Sequence, residues 1–159
     1  MAVAAIRPFK PPRLSPVSRQ VGTAWAPRPP EAPYQDEFYH ALHDITEGCF
    51  LATPEFRSAA RASLGRIDFF VPQTGWGVEI TQEGDRLAEH GSQFEAPRAW
   101  LGYEMKDYIL LDFRTSAPSE PYQGFNNLYR VVFEVGFGSL RIYNHKLEAQ
   151  GNAIELVED

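Results

Sequence analysis

The chain has 159 residues and a net charge of −6, from 15 Lys and Arg against 21 Asp and Glu. That length holds one domain with a real core, and 43% hydrophobic with 13% aromatic residues is the composition of a globular protein. No run approaches the roughly 18 apolar residues of a membrane span, and the single Cys49 excludes an internal disulfide. No Cys/His cluster suggests structural zinc. The opening MAVAAIRPFKPPRL has no continuous apolar stretch of the kind a secretory signal needs. These features fit a reducing, intracellular setting.

The charge is uneven. Up to Pro33 five basic residues face one acid, and from Tyr34 onward ten face twenty. An acidic body repels nucleic acid unless basic groups gather on one face. Arg outnumbers Lys twelve to three; Arg forks suit phosphate, and a GC-rich coding sequence gives the same bias.

Eight of the thirteen prolines precede Tyr34, in a stretch without periodicity. Residues 1–33 are therefore expected to form a disordered arm or linker, which implies something attached on its N-terminal side. Residues 34–159 form the domain. Tyr34, Phe38, Leu42 and Ile45 recur at helical spacing, and Gly48 ends that helix. Thr53 to Phe56 opens either a short helix or an edge strand. Arg66–Val71 and Trp76–Thr81 alternate as two strands around a Pro72-Gln73-Thr74-Gly75 turn. Gly84-Asp85 offers an N-cap for a helix through about Phe94, with Leu87, Gly91 and Phe94 on its apolar side. YILLDFR, from Tyr108 to Arg114, suits a central strand buried on both faces. Leu128–Val135 and Ser139–Asn144 close a final hairpin around Gly136-Phe137-Gly138. Cys49 reads as inert packing; Trp76, Trp100, Tyr103 and Tyr108 read as core or rim, with base stacking as the functional alternative.

If the four turn residues close a plain hairpin, Val71 faces Trp76 and Asp68 falls opposite Glu79. Directly opposed like charges, with Cβ atoms about 4.5–5.5 Å apart, destabilise a bare hairpin. Such a pair needs a cation between its members. A hard divalent cation takes carboxylate and water oxygens, polarises a phosphate and activates a water.

Helix, three strands, helix, strand, with Asp68 in RIDFF and Glu79 in WGVEI, resembles the core of restriction-endonuclease-like (PD-(D/E)XK) nucleases. At a finer level EFYHALH, GRIDFFV, WGVEIT, GDRLAEH, YILLDFR and NLYRVVF resemble, in that order, a C-terminal domain of Crinkler-type effector proteins of eukaryotic microbes. The likeness covers roughly residues 34–144. It implies an α/β fold with a mixed central sheet and an extra C-terminal hairpin. It implies a metal-dependent nuclease acting on DNA or RNA, with Mg²⁺ or Mn²⁺ held by Asp68, Glu79 and Glu37. An upstream P-loop NTPase domain is also implied, which these 159 residues do not include. Location is expected to be intracellular, with the nucleus as one compartment, and no membrane partner is expected.

Two departures stand out. The superfamily commonly has Lys two residues after the Glu; here that position is Thr81, neither a cation nor an effective base. The expected Arg near Gln93 is also missing. Arg86 and His90, on the following helix, are the replacement candidates. Arg86 could neutralise phosphate charge, and His90, with a reference pKa of about 6.5, could accept a proton. The bland readings stand beside these: His90 as a hydrogen-bonded structural residue, Glu37 as a solvated helix charge. Asp112 and Arg114 either pair structurally or face the site. The alternative function is a catalytically dead protein- or nucleic-acid-binding module, a remnant of a longer effector or mobile-element protein. No GxxxxGK[ST] or G-x-S-x-G motif occurs, so neither a phosphate loop nor a serine hydrolase is supported.

Overall fold

A computed structural model describes residues 2–14, 31–48, 53–57, 66–95 and 105–156. The elements in chain order are α1 (Ala2–Ile6), α2 (Pro11–Leu14), α3 (Ala32–Ile45), β1 (Thr53–Arg57), β2 (Arg66–Val71), β3 (Trp76–Gln82), α4 (Leu87–Glu95), β4 (Asp107–Arg114), β5 (Leu128–Phe133), β6 (Ser139–Asn144) and β7 (Ile154–Glu155). Among the described residues the strands form one seven-stranded sheet, ordered as in the chain. β1, β2 and β3 are antiparallel, β3, β4 and β5 run parallel, and β5, β6 and β7 return to antiparallel. The fold is thus mixed α/β. Among the described residues no helix is long and apolar enough to cross a membrane.

Strand alternation divides the sheet into two unlike faces. Phe69, Val71, Val78, Ile80, Leu111, Phe113, Val131 and Phe133 point to one face and bury against α1, α2 and α3. Helix α3 supplies Tyr34, Phe38, Ala41 and Leu42, the stripe read from its 3.6-residue period. Pro33 suits its first turn, where a missing N–H costs nothing. Gly48, at φ 71°, closes its end by donating to the His43 carbonyl at 2.9 Å. Tyr34 stacks on Phe113 with ring centroids 4.8 Å apart.

Among the described residues the other face is more polar. Leu110 and Leu128 meet Leu87 of α4 and Phe125 of the β4–β5 connection. A Cβ added at Gly91 would lie 2.0 Å from the Phe125 ring, so this helix face comes as close as it does because residue 91 is glycine. Asp68, Glu79, Thr81, Asp112 and Arg130 alternate with the residues of the apolar face, and all five are buried. Helix α4 begins two residues beyond Asp85, whose N–H bonds the Gln82 carbonyl within the preceding turn.

The N-terminal segment departs from the expected arm. Residues 2–14 pack into the core: Ala5, Ile6, Phe9 and Leu14 are 0–1% exposed, and Phe9 stacks on Phe113 at 5.6 Å. The reason is one of scale. Helices of five and four residues are too short to show a period, and Pro11 sits at a helix start, where proline is tolerated. Glu31, Ala32 and Pro33 also depart from that expectation, capping and opening α3, while residues 15–30 lie outside the described residues, as do Cys49, Trp100 and Tyr103. The strand option holds for Thr53, within edge strand β1. The last hairpin is extended by β7, which pairs Ile154 with Leu140.

A carboxylate pair between strands β2 and β3

Strands β2 and β3 pair as their hydrophobic pattern requires: Val71 with Trp76, Phe70 with Gly77, Phe69 with Val78. The turn between them closes through Gly75, which donates to the Val71 carbonyl at 2.9 Å with φ 70°. One step beyond Phe69–Val78 the register sets Asp68 against Glu79. There side chains take over from the backbone ladder. The Asp68 N–H donates to Glu79 Oε2 at 3.1 Å, and the Ile80 N–H donates to Asp68 Oδ2 at 2.7 Å.

The remaining oxygens are held from the two helices. Gln35 Nε2 on α3 donates to Asp68 Oδ1 at 2.8 Å. On α4, His90 Nδ1 lies 2.5 Å from Glu79 Oε1, and Gln93 Nε2 donates to the same oxygen at 2.9 Å. Asp68 is 7% exposed and Glu79 2%. Burial, and then the charge of Glu79, push the Asp68 carboxyl up to about 7. The bond to Glu79 holds the His90 imidazole above its ordinary pKa. The short contact and the raised pKa both favour a proton held between His90 and Glu79. Two buried acids thus face each other with one imidazole beside them.

The expected site residues divide. Asp68, Glu79 and His90 come together. Glu37 does not join them: its carboxylate is 4% exposed and accepts the Lys10 N–H at 2.9 Å and Arg13 Nη1 at 3.0 Å. It faces the same side of α3 as Tyr34 and Phe38, so it anchors the N-terminal segment rather than joining Asp68 and Glu79. Arg86 is exposed and pairs with Asp85 at 3.1 Å and Glu89 at 3.6 Å. Its φ of 45° places it in the turn before α4, from where its charge also acts on His90, lowering that pKa. Gln35 and Gln93 are the functional residues that the pattern of charges could not reveal. Only their helical spacing, one position after Tyr34 and one before Phe94, places them beside the sheet.

Thr81 is buried and turned to another partner. Its hydroxyl reaches Asp112 Oδ1 at 3.4 Å, across the β3–β4 pairing that aligns the two residues. Asp112 also accepts the Gly84 N–H at 2.8 Å and Arg114 Nη1 at 3.0 Å. Asp112 and Arg114 are thus a structural pair, and burial still raises the Asp112 carboxyl. Arg114 is further tied to the Ser116 carbonyl at 3.1 Å.

Two carboxylates from adjacent strands fit a hard divalent cation, for which one or two protein carboxylates completed by water form a normal ligand set. With Glu37 elsewhere, no third acid among the described residues adds to them. Among the described residues no group of three or more His, Cys, Asp or Glu is arranged to hold a metal ion. No family model, curated protein or solved structure matches the chain.

Proposed function

We propose that the chain is a nuclease-like domain with a restriction-endonuclease-like core, hydrolysing phosphodiester bonds of DNA or RNA at a slow rate. The observation that carries this reading is the meeting of Asp68 and Glu79 where β2 and β3 part, backed by α4. Support also comes from the order α3, β1, β2, β3, α4, β4, with three antiparallel strands followed by one parallel strand. A bound Mg²⁺ or Mn²⁺ would supply phosphate polarisation and an activated water. Asp68 and Glu79 would hold it, the cation offsetting the repulsion between the two carboxylates when both are ionised. Gln93 and His90 orient the Glu79 carboxylate, and Gln35 orients that of Asp68. The slow rate follows from Thr81, which is buried against Asp112 and supplies neither base nor cation to the reacting phosphate.

A second reading has its own support: all four carboxylate oxygens already accept hydrogen bonds. A domain that retained this network for stability would be a catalytically dead binding module. Calorimetric titration with Mn²⁺ and Mg²⁺, run beside Glu79→Gln and followed by cleavage assays on single- and double-stranded DNA and RNA, separates the two. Metal binding lost in Glu79→Gln, with metal-dependent cleavage, supports the nuclease. Failure to bind either metal leaves the binding module.

A further inference from the structure

A cavity of about 360 Å³ opens on the apolar face of the sheet, on the opposite side from the carboxylate pair. Its walls include Val3 and Ile6 of α1, Phe38 of α3, Trp76 of β3 and Tyr129 of β5. The size lies at the lower end of small-molecule pockets, about 300–1,000 Å³. Among the described residues lining it, Asp107 carries the only charge. Asp107 Oδ1 accepts the Tyr108 N–H at 2.8 Å and Asn127 Nδ2 at 3.2 Å. Among the described residues no hydrogen bond occupies Oδ2. Trp76, 39% exposed, lines the same cavity.

We propose that this cavity binds a small organic cation with an aromatic or alkyl body. An apolar, half-open hollow with aromatic walls and one solvent-exposed carboxylate, Asp107, complements a cation whose charge is carried on carbon-rich groups, through ion pairing and cation–π attraction. The same lining disfavours phosphates and carboxylates, which would meet Asp107 and no compensating cation. The occupant is therefore of a different chemical class from the phosphodiester of the opposite face, and the inference stands apart from that reading.

The test uses the full chain with benzyltrimethylammonium as probe, beside benzyl alcohol and benzoate, followed through the Trp76 indole N–H in ¹H–¹⁵N spectra. The expected result is saturable binding of the cation, about tenfold tighter than of the neutral or anionic comparator. Asp107→Asn should erase that preference, and Val3→Trp should block all three probes. Val3 is 43% exposed, so this larger side chain enters without disturbing the core, and an unchanged melting temperature verifies that. Equal affinity for the three probes, an unaltered preference in Asp107→Asn, or no saturable binding at millimolar probe overturns the proposal. So does a dimer in sedimentation that Val3→Trp dissociates, because a second copy would then be the occupant.

Discussion

Asp68 and Glu79 each accept a backbone N–H from the other's strand, at 3.1 Å from Asp68 itself and 2.7 Å from Ile80. The acids therefore replace rungs of the β2–β3 ladder while facing each other with like charge. Removing either side chain would orphan a backbone donor, whereas removing a charge need not. In Asp68→Asn the amide oxygen can still accept from Ile80, and a flipped Gln35 amide can accept from the new NH₂ group. The variant should hold or gain stability at pH 8, measured by urea unfolding. A loss above about 2 kcal/mol would mean that the charge itself strengthens these bonds.

The pH dependence of the parent chain follows from the same pair. Asp68, raised to about 7, binds a proton more readily folded than unfolded, so its contribution falls as pH rises from about 4 to about 7. His90 is also raised; its stabilisation is complete below its ordinary pKa of about 6.5 and is lost as pH climbs through the folded value. Asp112, raised by burial, acts in the same direction as Asp68. The fold should thus be less stable at pH 8 than at pH 5.5. Urea midpoints at the two pH values check this, and Asp68→Asn should flatten the difference. A stability that rises toward pH 8 would contradict the assignment.

Glu79→Gln isolates the imidazole. The bond to Glu79 is the main reason that His90 titrates high, and the Glu79 charge adds to it. Without them, burial remains as the main influence and lowers the pKa. The His90 pKa should therefore drop to its ordinary value or below, seen by NMR titration of the ring. An unchanged pKa would mean that another group sustains the proton.

The β2–β3 hairpin was legible because alternation and turn chemistry agree on one register, and that register placed Asp68 against Glu79. YILLDFR was legible as a central strand because it is apolar on both faces; Leu110 and Leu111 are 0% and 1% exposed. The role of Glu37 was not. An acid on α3 carries no mark of whether it serves a metal or a distant backbone N–H, and its partners lie 27 and 24 residues away. Gln35 and Gln93 were missed because a neutral amide announces itself only through a hydrogen bond that the fold creates.

Phe9 tests the corrected N-terminus. Its ring is 1% exposed and stacks on Phe113, so Phe9→Ala should cost roughly 3–5 kcal/mol, the usual range for truncating a core Phe. Glu37→Gln should cost much less, because one acceptor remains for the Lys10 N–H and Arg13 is 56% exposed. A Phe9→Ala cost below about 0.5 kcal/mol in urea unfolding would return the segment to the status of an arm.

The last prediction concerns competition between a proton and a metal at one place. If Asp68 and Glu79 hold a divalent cation, they do so ionised, and Asp68 is fully ionised only above about 7. Mn²⁺ should therefore raise the melting temperature more at pH 8 than at pH 6. At a concentration of 100 times Kd the gain is about 2.7 kcal/mol. Asp68→Asn and Glu79→Gln should each abolish the shift, though the apo form of Asp68→Asn is no less stable than the parent. Glu37→Gln should leave it intact, because Glu37 is bound to Lys10 and Arg13. No shift at pH 8, or a shift that survives both site variants, would remove the metal from this site and leave the hydrogen-bonded pair as a structural device.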